Sequence, residues 1–133
     1  MPVSTLAIPP DTEQVRVARL VATAAARRMG LAEQQIDDVR LAVGEAVGRA
    51  VVRQQRAGVP RPVQIRMVDD YPGFVIEVVD TAAGVGPDES PLALAVITGL
   101  VPTVDLDEDA HRGQVVRMQW VAEDPDDGSV EEV

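Results

Sequence analysis

Cysteine is absent from the 133-residue chain, which excludes disulfides, thiolate nucleophiles and cysteine-held metals. Lysine is absent as well: all 12 basic residues are arginine. His111 is the single histidine, so no histidine cluster for a metal is available, and no Ser/His/Asp arrangement is evident. Only three residues are aromatic, Tyr71, Phe74 and Trp120, so the core has to be built from Val, Ala, Leu and Ile. Positive charge is scarce, with 22 acids giving a net charge of -10. A chain of that sign repels phosphate backbones, and direct DNA or RNA binding is not expected. No run approaches the about 18 apolar residues that cross a bilayer, and the N-terminus lacks a basic-then-apolar export pattern. The expectation is a cytoplasmic protein without membrane contact.

What is present suits one domain with a single core. Hydrophobic residues make up 46% of the chain, and Ala, Val, Gly, Pro and Arg are abundant in the way a GC-rich, actinobacterial genome favours. Val3 to Ile8 reads as a strand ended by Pro9-Pro10. Asp11 or Thr12 caps a helix whose apolar side is Val15, Ala18, Leu20, Val21, Ala22, Ala25 and Met29, closed by Gly30. A second helix runs from near Glu33 to about Gln55, and Ala57 to Pro62 breaks it. Val63, Ile65 and Met67 alternate with Gln64 and Arg66 in a strand. A turn over Asp69 to Gly73 leads to a second strand, Phe74 to Val79, giving a hairpin. A loop from Asp80 to Ser90 precedes a helix beginning at Pro91 and stopped by Pro102. Thr103 to Leu106 is a short strand, Asp107 to Arg112 an acidic turn, and Gly113 to Ala122 a longer strand. Residues 123–133 carry six acids and no base, which predicts a disordered tail after a domain spanning 1–122. The order predicts an α+β, two-layer sandwich: a mostly antiparallel mixed sheet with about three helices on one face.

In the second helix Ile36, Val39, Val43, Val47, Ala50 and Val51 recur at three- and four-residue steps, which puts them on one side. Asp38, Glu45 and Arg49 fall opposite, with Glu45 and Arg49 one turn apart. By spacing alone this is an amphipathic surface helix. Arg27-Arg28 and Arg53-Arg56 read as solvated helix faces, His111 as an exposed residue of the acidic turn, and Trp120 as sheet packing.

The run Asp37-Asp38-Val39-Arg40-Leu41-Ala42-Val43-Gly44-Glu45-Ala46-Val47 resembles the first nucleotide-binding box of the histidine-kinase-like ATPases (the GHKL or Bergerat fold), in the branch of RsbW/SpoIIAB-type anti-sigma factors. In that family the helix carries a Glu, matched here by Glu45, and four residues later an Asn that holds magnesium. Arg49 stands at the Asn position. Val78-Val79-Asp80-Thr81-Ala82-Ala83-Gly84 resembles the family's Asp-x-Gly-x-Gly, in which the Asp accepts from the adenine amino group. Asp80 and Gly84 match, whereas Ala82 replaces the first glycine. Asp80 read by itself is also an ordinary turn opener after a strand. Pro91-Leu92-Ala93-Leu94 stands where the family's Gly-x-Gly-Leu run turns its amides to the phosphates; Pro91 has no amide hydrogen and Ala93 narrows the approach. The loop from Val85 to Ser90 is short for a nucleotide lid. Gly113-Gln114-Val115-Val116-Arg117 resembles the closing Gly-Thr-x-Val segment.

A guanidinium cannot ligate a cation. Arg49 either pairs with Glu45, worth about 0.3–0.5 kcal/mol if exposed, or contacts phosphate in place of the metal. A Glu45 held in that pair is a poor general base. The resemblance implies an ATP site at Glu45, Arg49, Asp80, Ala82, Gly84 and Ala93 that is weakened or lost, without magnesium. It implies a sigma factor and a STAS-type anti-anti-sigma protein as partners, and a homodimer through the sheet. An active serine/threonine kinase with Glu45 as its base is the alternative.

Overall fold

The computed structural model describes residues 2–82, 91–109 and 113–123. Among these residues, five strands and three α-helices follow the order β1 (Val3–Ile8), α1 (Val15–Met29), α2 (Glu33–Ala57), β2 (Val63–Asp70), β3 (Gly73–Val79), α3 (Pro91–Leu100), β4 (Thr103–Asp109) and β5 (Gly113–Val121). The strands form one sheet in the order β1-β2-β3-β5-β4. Every pairing is antiparallel, so the expected parallel component of a mixed sheet is absent among the described residues. The chain-adjacent strand pairs β2–β3 and β4–β5 follow one another within a few residues of sequence, which gives antiparallel neighbours without a crossover.

Local chemistry sets the element ends. Asp11 accepts from the Glu13 amide and starts a short 3-10 turn, Thr12–Gln14, which runs into α1. Gly30 takes a left-handed φ of 97° and sends its amide back to Ala26 and Arg27. At the head of α2 the Gln35 side chain accepts from the Ala32 amide at 2.9 Å and donates to the Val121 carbonyl at 2.7 Å, tying helix to sheet. The hairpin turn is tighter than the sequence suggests: Asp69 and Asp70 belong to β2, and only Tyr71-Pro72 turns the chain. The acidic residues Asp107 to Asp109 extend β4 instead of forming a turn, because pairing with Gly113 to Val115 satisfies their backbone at the sheet edge. Charges on an edge strand also discourage sheet-to-sheet association. His111 and residues 124–133 lie outside the described residues.

Helices and sheet share one core. Ala18, Ala22, Ala25 and Ala26 of α1 meet Ala42, Ala46 and Ala50 of α2 in a buried seam whose small side chains permit close helix packing. From the sheet, Ile65, Met67, Ile76, Val78, Val116 and Met118 point inward beside Phe74 and Trp120, and Ile97 of α3 completes the layer. Full burial of each aliphatic side chain contributes about 1.5–3 kcal/mol. Leu20 and Val21, expected on the apolar side of α1, are exposed instead; Thr23 and Ala26 take the buried positions, with the Thr23 hydroxyl donating to the Arg19 and Leu20 carbonyls. On the free sheet face Arg66, Glu77, Arg117 and Asp105 stand side by side across four strands. Arg66 meets Glu77 at 2.8 Å and Arg117 approaches it at 3.6 Å.

Candidate functional site

The C-terminal half of α2 departs from the amphipathic rule. Arg49 and Arg53, one turn apart, are only 7% and 6% exposed, and Gln54 beside them is fully buried. Both arginines were expected on solvated faces; both turn inward, because polar partners from β5 and from the segment after β3 meet them there. Arg49 Nη2 donates to Gln114 Oε1 at 2.6 Å. Arg53 Nε donates to Asp80 Oδ2 at 3.0 Å, and its Nη2 to the Ala82 carbonyl at 3.4 Å. The Gln54 amide nitrogen donates to the Arg61 carbonyl, while its oxygen accepts from the Thr81 amide at 2.9 Å.

Asp80, 1% exposed, is the hub of the cluster. Its Oδ1 accepts from the Ala82 amide at 3.0 Å and the Gln114 amide at 3.4 Å, and its Oδ2 from Arg53. The Asp80 amide in turn donates to the Gln114 carbonyl at 3.0 Å. Gly113 makes this approach possible. Its φ is +98°, and an added Cβ would fall 2.2 Å from the Asp80 carbonyl oxygen. Any side chain there would therefore drive β5 off the Asp80 turn. Burying a carboxylate and a guanidinium costs desolvation energy, which close pairing and additional hydrogen bonds offset. Here each charge has both.

Of the residues singled out from sequence, Arg49, Asp80 and Ala82 are brought together by this cluster. Glu45 is not part of it: exposed, it lines an open groove with Arg19, Arg40, Leu41 and Gly44. The expected Glu45–Arg49 pair is therefore replaced by the Arg49–Gln114 contact. Ala93 sits half-buried in the first turn of α3, and Gly84 lies outside the described residues. Sequence reading missed Arg53, Gln54, Gly113 and Gln114 as site residues. The signal for Arg53 was spacing: it continues the buried stripe three residues after Ala50 and seven after Ala46. No group of three or more His, Asp or Glu side chains converges among the described residues.

A model of the histidine kinase-like ATPase domain matches residues 8–120, nearly the whole chain. The chain belongs to the histidine kinase-like ATPase family. No curated protein sequence is significantly similar to it. Among solved structures it is similar to that of the RsbU and RsbW domains of Rv1364c from Mycobacterium tuberculosis, with a TM-score of 0.70 at 18% identity. The match covers 90% of this chain and 31% of that one, so the shared element is the fold of one part of a longer protein. Within the histidine kinase-like ATPase fold, the cluster of Arg49, Arg53, Asp80 and Gln114 occupies the end of α2 that faces the β3–β5 pair. No helix among the described residues is long and apolar enough to cross a membrane.

Proposed function

We propose that this family member is a regulator of the anti-sigma-factor type that works by protein binding, with nucleotide binding weakened or lost. The observation carrying the reading is Arg49. It stands where the related anti-sigma factors place the magnesium-holding Asn, and its guanidinium is buried and hydrogen-bonded to Gln114 at 2.6 Å. A fixed cation at that position repels a metal ion and has no lone pair with which to hold one. Arg49 therefore does not fit a magnesium ion at that position, and no phosphoryl-transfer step is assigned to these residues.

By this reading the partners are an alternative sigma factor and a STAS-type antagonist that competes for it, in the cytoplasm of an actinobacterium. A homodimer through the sheet is compatible with the same picture. The net charge of -10 supports association with basic sigma-factor helices, since complementary charge raises the on-rate and selects among partners. Covering a surface that the sigma factor needs for polymerase or promoter engagement needs no chemistry.

One observation favours the second reading, an ATP-dependent serine/threonine kinase acting on the antagonist. Glu45 is exposed and is not tied to Arg49, so the structure does not disable it as a general base. Isolation of the native complex, followed by calorimetry with ATP and ADP with and without magnesium, separates the two. A sigma factor or STAS protein bound without regard to nucleotide is the expected result. Magnesium-dependent ATP binding at micromolar concentration, with phosphate appearing on a partner serine, would establish the kinase.

A further inference from the structure

By the resemblance, Asp80 stands where related nucleotide-binding chains read the amino group of adenine, and both of its carboxylate oxygens already accept hydrogen bonds from Arg53, the Ala82 amide and the Gln114 amide. We infer that the Arg53 guanidinium is an internal substitute for the adenine base, and that it is the residue that excludes adenine from this pocket. The inference rests on the proposed loss of nucleotide binding, and it assigns that loss at the base end to one side chain.

Geometry and chemistry agree on this. Adenine offers a carboxylate an N–H donor carried on a flat, delocalised ring. Arg53 offers the same thing: a planar group whose Nε donates to Asp80 Oδ2 at 3.0 Å. Its Nη2 continues to the Ala82 carbonyl at 3.4 Å, so the plane spans the carboxylate and the backbone beyond it, where the family's first glycine admits the ring. The other carboxylate oxygen is occupied by the Ala82 and Gln114 amides. Neither charged group reaches solvent to any useful extent, at 6% and 1% exposure. An incoming adenine would have to displace the guanidinium, leaving a buried cation without its counter-charge. Ala82 adds a fully buried methyl group at the same place. An arginine in the place of the base makes partner binding independent of nucleotide supply.

The test uses adenosine, which carries the base and demands neither metal nor phosphate contacts. Calorimetry and thermal melts are run on the wild type, on Arg53→Met, which keeps the apolar stem, and on Arg53→Leu as a second variant should the first not fold. Wild type is expected to show no binding tighter than about 1 mM. The variants are expected to bind adenosine at least about tenfold more tightly and to gain several degrees in melting temperature from it. Purine riboside, which lacks the 6-amino group, should give neither effect, and adding Asp80→Asn should abolish the gain. Millimolar or tighter adenosine binding by wild type that Asp80→Asn removes would overturn the inference, whether or not the variants fold. Folded variants that gain nothing from adenosine would overturn it equally. Because no partner or metal enters the assay, failure of the anti-sigma reading shows in the complex isolation and not here.

Discussion

From Ile36 to Gly44, α2 buries Ile36, Val39, Ala42 and Val43 and leaves Asp37, Arg40 and Leu41 outside; from Arg49 to Gln54 the same helix buries two arginines and a glutamine beside Ala50 and Val51. The first half follows the rule that an apolar stripe meets the core. In the second half that stripe continues in position but changes in chemistry. What differs is the supply of partners. The buried side chains of the first half sit within the apolar core cluster, which has nothing to offer a charge. The second half faces Asp80, Gln114, Arg61 and Thr81, which do. Burial in a helix is thus set by geometry, and tolerance for a charge there by residues far away in sequence.

The sharpest way to break this comparison is Asp80→Ala. It strands the Arg53 guanidinium in the interior, and the expected destabilisation is about 3–5 kcal/mol, read as a shift of the urea midpoint at unchanged m-value. Restoring neutrality with Arg53→Met and Asp80→Leu together should recover most of that loss, because a well-packed apolar pair replaces a buried ion pair at little net cost. Additive losses in the double variant would show that the ion pair does not couple the two positions. In the first half the corresponding change is Val43→Ala. It removes two methyl groups from a fully buried position and should cost about 2 kcal/mol by the same midpoint shift. A loss near zero would mean that the surrounding core collapses to fill the space.

The contrast also explains what was legible in the sequence. Elements with a clean period were read within a few residues: α2, the alternating β2, and the stop at Pro102. The edge strand β4 was cut short at Leu106 because Asp107-Glu108-Asp109 reads as a turn by composition, whereas pairing with β5 decides the matter. Of the buried cluster, Asp80 and Arg49 stand out in the sequence by resemblance to nucleotide-binding boxes. Arg53 was not, because its partner lies 27 residues away and local reading puts an arginine outside. Gly113 illustrates the same limit: its need for a bare backbone comes from the Asp80 carbonyl, which only the folded chain brings near.

The smallest expected effect lies at the exposed pair of the first half. Arg40 Nη1 meets Asp37 Oδ1 at 2.8 Å, as close as Arg66 meets Glu77, but the two side chains remain 47% and 62% exposed. Water screens the attraction, and two flexible side chains must be ordered to make it, so Asp37→Ala should cost below about 0.5 kcal/mol. Salt supplies a second reading of the same point. Raising ionic strength shortens the screening length and should erase even that difference between wild type and Asp37→Ala. The penalty of Asp80→Ala should persist, since ions do not enter the buried cluster. Equal salt sensitivity at both sites would mean that water and ions reach Asp80, and the two halves of α2 would then differ in residue type but not in environment.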